Sequence, residues 1–432
     1  MQLTKWLNLM IKFCLPVAVL LLAYSVQAQD AGRLTLEQAY DMARQHYPVI
    51  RQKDLVRQTA NLTIENLGKG FLPQLNISGQ ATYQSDVTSV PVSIPGIKID
   101  EPSKDQYKIQ AELSQLVYDG GSTAAQKSVQ NANALVEEQK AEVELYKVKD
   151  RINQLYLGVL LVDAQLEQVS YVKKDIEIGI KRVEAMVKNG TAFRSSQLTL
   201  EAEMMKNDQR VIELNANRKG LVDVLSLFIN RSLPANVKLE QPTIPMTLVK
   251  ETVARPELKY YNYQSELFKV QNQLVSAKNR PKVNLFVQGG YGRPGLNMLK
   301  NEFDLFYIGG VRLNWGLGNL YTTKKEREIL EVNQRMVDVQ KDLFMLNTNT
   351  QLKQQQAEVD KLSQLIRSDQ QIIGVRAQVK EAALAQLTNG VITTNDYLKE
   401  LNAEDLAKQS LLTHQVQLLQ AQINYRTISG NQ

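Results

Sequence analysis

Apolar residues in this chain keep two rhythms, and the rhythms divide it. From Ser122 to Asn189 the spacing is three and four. Leu145, Val148, Ile152, Leu155, Val159, Val162, Leu166 and Val169 form a heptad seam flanked by Glu, Lys, Gln and Arg. No proline occurs between Pro102 and Pro234 and glycine is sparse there, so little in the arm interrupts a helix. The seam predicts a coiled-coil arm roughly 100 Å long. Asn189-Gly190-Thr191 ends it, because Asn and Gly accept the left-handed conformation of a helix C-cap. A second helical pattern then runs to about Asn230.

The other rhythm is two. Leu75, Ile77, Gly79, Ala81 and Tyr83 take one face, and Gln74, Asn76, Ser78, Gln80 and Thr82 take the other. Tyr107, Ile109, Ala111 and Leu113 alternate likewise with Lys108, Gln110, Glu112 and Ser114. Both runs predict strands with one apolar and one wet face. A proline-bearing loop from Asp86 to Gln106 separates them, and Asp119-Gly120-Gly121 turns the chain into the arm. Upstream, Thr35 and Gln38 set a capping box, and helix runs on beyond Pro48 to about Leu67.

The whole pattern recurs. Pro73-Gln-Leu-Asn-Ile answers to Pro281-Lys-Val-Asn-Leu and Tyr83 to Tyr291, an offset of 208. Past a shorter loop near Arg293 to Asp304 the offset becomes 200, so Leu113 matches Leu313 and Gly190 matches Gly390. Asn389-Gly390-Val391 closes the second arm, which begins at Leu320, and helix resumes to about Ile428. The chain thus divides into a leader (1–28), a first repeat (29–230), a linker (231–252) and a second repeat (253–432). Each repeat is helix, strand, loop, strand, long helix, turn, helix.

Lys5 and Lys12, the apolar run from Phe13 to Tyr24 and the small-x-small Val26-Gln27-Ala28 read as a secretory signal peptide. Cys14, the only cysteine, lies inside it. No later apolar run approaches the length of a membrane helix, so contact with a bilayer must come through strands. Tyr83, Tyr107, Tyr118, Tyr291, Phe303, Phe306, Tyr307 and Trp315 gather toward strand ends, as an interfacial aromatic girdle does. Four strands cannot close a membrane barrel, for which about eight is the smallest number. Open edges in hydrocarbon leave backbone groups unpaired, so the wall must be shared: eight strands from a dimer or twelve from a trimer.

Charge and candidate chemistry change this picture little. The net charge of +6 carries no dense basic block, which argues against a nucleic-acid partner. His46 and His414 are the only histidines, and neither metal-ligand spacing nor a nucleophile–base pair is present. No metal, cofactor or catalysis is therefore expected. Gly290-Tyr-Gly292-Arg-Pro-Gly295 satisfies G-x-G-x-x-G, but a loop and a strand follow it where a dinucleotide site needs a helix. A surface turn is the expected role.

This order of elements resembles the TolC-type family of outer-membrane efflux proteins. So do Leu34-Thr-Leu-Glu-Gln-Ala, Phe71-Leu-Pro-Gln-Leu, Tyr118-Asp-Gly-Gly, Arg255-Pro-Glu-Leu, Asn189-Gly-Thr and Asn389-Gly-Val-Ile-Thr-Thr-Asn-Asp-Tyr-Leu. The resemblance implies a mainly helical homotrimer: a 12-stranded transmembrane β-barrel in the outer-membrane lipid, continuous with a long periplasmic α-helical barrel. It implies a passive exit duct that meets a periplasmic adaptor and, through it, an inner-membrane pump. The turns Asn189-Gly190-Thr191 and Asn389-Gly390-Val391 would be the adaptor-docking tips, and Tyr83, Tyr107, Tyr291, Tyr307 and Trp315 the membrane-interface aromatics. Asp396 falls on the first of the acidic positions that ring the family's periplasmic entrance. Lys399 stands where some members have a second aspartate, and Ser196 is the counterpart of Asp396 in the first repeat. The rival reading is a secreted coiled-coil scaffold, or a periplasmic adaptor, without a barrel.

Overall fold

The computed structural model describes residues 33–89, 101–243 and 252–431, so the leader lies outside the described residues, as does part of the linker. In chain order the elements are β1 (Arg33–Leu34), α1 (Leu36–His46), α2 (Val49–Lys69), β2 (Gln74–Tyr83) and β3 (Asp105–Tyr118). There follow α3 (Ser122–Lys188), α4 (Arg194–Ile229), β4 (Lys238–Leu239), α5 (Pro256–Lys278) and β5 (Lys282–Arg293). The chain ends with β6 (Asp304–Asn314), α6 (Leu320–Thr388) and α7 (Thr394–Ser429). The bounds of α4 and α7 differ by the 200 residues of the sequence offset.

Two compact units draw on both repeats. One comprises residues up to Ile50, Leu145–Ala254 and Thr348 onward; the other comprises Arg51–Glu144 and Arg255–Asn347.

The first unit is helical. Of the heptad seam, all but Leu166 are buried, and Leu166 packs partly covered against Val162, Val169 and Leu214. Thr35 and Gln38 complete both halves of the capping box that opens α1. The helix stops before Pro48, with Tyr47 extended, because a residue ahead of proline is driven out of the helical region. Leu36, Ala39 and Ala43 of α1 close a core with Ile152, Tyr156 and Val159 of α3, Val222 and Leu225 of α4, and Ile423 of α7. The linker, featureless in sequence, supplies β4, which pairs in parallel with β1. The Tyr156 hydroxyl lies 2.6 Å from the Leu34 carbonyl and 2.7 Å from that of Glu240. Arg218 donates to the Val237 carbonyl at 2.6 Å while pairing with Asp163 at 2.5 Å. These bonds fasten the linker to the helices.

The second unit holds an antiparallel four-stranded sheet in the order β2-β3-β5-β6. Its registers place Leu75 beside Leu113, Leu113 beside Val287, and Val287 beside Gly309. The apolar faces predicted for separate strands therefore make one continuous face. β3 runs on to Tyr118, past a register shift between Leu116 and Tyr118. The turn into α3 needs glycine. Gly120 has φ +73°, and a Cβ there would lie 2.6 Å from the Arg280 Cβ. The Asp119 carboxylate accepts from the Thr123 amide at 2.5 Å and from the Gly121 amide at 2.8 Å. Burial acts to raise the Asp119 pKa, but these hydrogen bonds win and hold it below the ordinary range.

Candidate functional site

Two regions can do work: the sheet and the helical turns. In the sheet, Leu75, Ile77, Ile109, Leu113, Leu285, Val287, Leu305, Val311 and Leu313 all stand exposed on the apolar face. Tyr83, Tyr107, Tyr291 and Tyr307 share that face near the loop end. Tyr107 and Tyr291 stack on Phe303, at ring-centroid distances of 6.4 and 5.4 Å, with Arg293 over the Tyr107 and Phe303 rings. Trp315 lies just past the far end of β6, its indole donating to the Asn279 carbonyl at 3.0 Å. Phe306 departs from the expected girdle. It faces the other way, opposite Gly290 in the register, and is only 7% exposed. The period of two in β6 puts Phe306 out of phase with Leu305 and Tyr307.

The opposite face is polar, with an aromatic floor under it. Phe306 pairs with Gly290 and Phe286 with Gly310, so each ring lies over a residue that has no side chain. Lys108 Nζ sits 4.7 Å from the Phe306 ring centre, and the Arg312 guanidinium 4.4 Å from that of Phe286. Arg312 also pairs with Glu112 at 3.0 Å. The two strand glycines of the G-x-G-x-x-G motif are thus sheet residues, and no helix follows them.

At each helical turn the chain makes the same Schellman cap. Thr191 N–H reaches the Met186 carbonyl at 2.8 Å and Gly190 N–H that of Val187 at 3.0 Å, with Gly190 at φ +75°. Val391 and Gly390 repeat this on Gln386 and Leu387 at 2.9 and 3.0 Å, with Gly390 at φ +70°. Asn189, Gly190, Thr191, Asn389, Gly390 and Val391 are all exposed. Beyond the glycines the turns differ. Phe193 precedes α4 with no side-chain cap and is 83% exposed, whereas Thr393 caps α7.

Asp396 completes that cap. Its amide donates to the Thr393 hydroxyl, and its carboxylate accepts from the Thr393 hydroxyl at 2.7 Å and from the Thr393 amide at 3.1 Å. The hydroxyl bond chiefly, then the amide bond, holds the carboxyl below its usual range. Lys399 contributes only a small attraction and makes no ion pair with Asp396.

Beneath the turns, Tyr397 is buried against Gly179 and Leu200, in a core shared with Ile176, Val183, Leu387 and Leu401. Lys380 reaches Asp175 and Glu404, each at 2.8 Å, and Lys408 reaches Glu404 at 2.7 Å. Burial works against the Lys380 charge, but the two carboxylates prevail and raise its pKa. Burial likewise opposes the Glu404 charge, and the two lysines prevail to lower its pKa. Asp405 accepts from Arg210 and Gln168, each at 3.2 Å. Sequence reasoning missed this network; the available signal was adjacent acids, Glu404-Asp405, inside an otherwise apolar-seamed helix. Of the histidines, His414 meets Asp369 at 2.6 Å, and no cluster of His, Cys, Asp and Glu suited to a metal occurs among the described residues.

The comparisons with known proteins agree with this geometry. The family described as outer membrane efflux protein matches residues 39–222. No curated protein matches the chain. Among solved structures, the outer membrane protein VceC from Vibrio cholerae is similar at 14% identity, with a TM-score of 0.65 over 92% of this chain and 96% of its own. CusC, whose structures concern folding and transmembrane channel formation, is similar at 15% identity, with a TM-score of 0.67 over 92% of each chain. The MtrE outer membrane channel of Neisseria gonorrhoeae is similar at 14% identity, with a TM-score of 0.63 over 92% of this chain and 89% of its own. The fold is thus that of these solved outer-membrane proteins, and the family match lies within the first repeat.

Proposed function

We propose that the protein is the outer-membrane channel of a tripartite efflux or type I secretion system, a passive duct for solutes delivered by an inner-membrane pump. One observation carries this reading. The four-stranded sheet has an exposed apolar face, and its outermost strands, β2 and β6, are edges. An apolar face of that kind suits lipid, and edges in lipid must pair. A homotrimer closes twelve strands by joining β2 of one copy to β6 of the next. Tyr83, Tyr107, Tyr291 and Tyr307 would lie at the outer interface and Trp315 at the inner one. The helices then occupy the periplasm, where an adaptor meets the exposed turns at Asn189, Gly190, Thr191, Asn389, Gly390 and Val391. Phe193 adds an apolar contact at the first of these.

The purified mature protein is expected to need detergent, to change gel migration on heating, and to conduct in planar bilayers. A detergent-free soluble monomer without conductance would exclude the channel. Asp396 is assigned to the periplasmic gate, where three copies repel unless screened. Because it also caps α7, charge and cap must be tested apart. Asp396→Asn keeps an oxygen for the Thr393 amide but removes the charge, and is expected to abolish the cation sensitivity of the conductance. If only Asp396→Ala has an effect, the residue is a cap and not a gate.

A further inference from the structure

We propose that Lys108, held on the Phe306 ring, forms a cationic collar inside the barrel that favours the passage of anions. The inference rests on the barrel reading above, which turns the polar face of the sheet inward. On that face the registers gather three cations, Lys108, Lys282 and Arg312, and two carboxylates, Glu112 and Asp304. Arg312 is matched by Glu112 at 3.0 Å, and Asp304 is engaged by Lys300 at 3.6 Å. Lys282 sits at the opposite end of β5. Lys108 and Lys282 have no carboxylate within 4 Å among the described residues, and of the two it is Lys108, inside its strand, that rests on an aromatic ring, that of Phe306.

The nature of the partner decides the field. A carboxylate would cancel the ammonium charge, whereas an aromatic face fixes the ammonium in place and contributes no net charge. Phe306 reaches Lys108 from β6, across β5, and only glycines allow it. A Cβ on Gly290 would fall 2.7 Å from the Ile109 carbonyl oxygen and into the Phe306 ring. A Cβ on Gly292 would fall 2.8 Å from the Tyr107 carbonyl oxygen and 3.3 Å from the Lys108 Cα. The glycine pair thus serves to seat an aromatic ring beneath a lysine. Three copies of Lys108 at one height in a low-dielectric wall focus a positive potential on the axis, the arrangement that admits anions and disfavours cations.

The test is the reversal potential of the purified trimer in planar bilayers under a potassium chloride gradient. Lys108→Gln is expected to lower the chloride-to-potassium permeability ratio about twofold or more, and Lys108→Glu to lower it further. Lys282→Gln, an equal loss of charge elsewhere on the same face, is expected to leave the ratio nearly unchanged. A conducting Lys108→Gln channel with the wild-type ratio overturns the collar. So does a Lys282→Gln channel that shifts equally, since net charge alone would then explain the selectivity. Absence of conductance in the wild-type protein would instead remove the channel reading on which the collar depends.

Discussion

Beneath the turns, Lys380 and Glu404 are opposite charges taken out of water together, so each depends on the other. Burial alone would push each group toward its neutral form. Their mutual bonds keep both charged, with Glu404 below its ordinary value of 4.5 and Lys380 above 10.5. A depressed carboxyl contributes stability above its unfolded pKa and loses it as pH falls through the folded one. A raised amine contributes below its unfolded pKa and loses it only as pH rises through the folded one. The network is therefore intact across neutral pH and weakens below about 4.5. Lys380→Met leaves Glu404 buried with Lys408 alone, at a cost of about 2–3 kcal/mol. Amide exchange in the segments around Ile176 and Leu401 is expected to speed by roughly thirtyfold or more. The acid-induced loss should also begin at a higher pH than in the wild type. Exchange rates identical to the wild type at pH 7 would mean the bridge adds nothing beyond packing.

At the scale of elements, the strands make a sharper claim than the helices, because period two assigns every residue to a face. Ile77 is 68% exposed on the apolar side of β2, and its neighbour Ser78 lies on the polar side. An arginine facing the bilayer midplane costs about 2–4 kcal/mol in each copy. Ile77→Arg is expected to deplete the folded, heat-modifiable species, and Ser78→Arg to leave it largely intact. Equal damage from both would mean that the apolar face does not meet lipid. The same periodicity explains what was legible in sequence. The heptad seam of α3, the paired Asn-Gly caps and the alternating strands are local patterns, and each predicts its element without knowledge of a partner. Phe306 and the Lys380 network were not legible in that way. Phe306 reads as one more aromatic near a strand end until the register sets it over Gly290. Lys380, Asp175 and Glu404 come from three helices, and nothing local in the sequence pairs them. The linker is a further case, since β4 takes its meaning from β1, some 200 residues away in the chain.

Along the part of α6 before Asn347, residues fall on three sides. Val337 is buried within the chain. Ile329, Val332, Met336, Val339, Leu343 and Leu346 step by three and four, yet every one of them is exposed. Glu331, Arg335, Asp338 and Asp342, also exposed, keep the same spacing on a polar flank. A helix on the surface of a monomer needs one apolar side and one wet side. This one carries a second, exposed apolar seam with the heptad spacing of a coiled-coil contact. In the proposed trimer a staved tube would cover such a seam, since each helix would meet one neighbour from its own chain, one from the next copy, and water. Stability of the proposed trimer should then reside in this seam as well as in the strand edges. Val339→Lys together with Leu343→Lys sets two cations into each seam, at about 2–3 kcal/mol per lost apolar side chain before any repulsion. The wild type is expected to run as trimer in mild detergent, and the doubly substituted protein as monomer. Asp338→Lys, on the polar flank, is expected to remain trimeric. A trimer that survives the seam substitutions unchanged would assign the association to the strands alone and leave the exposed heptad without a role.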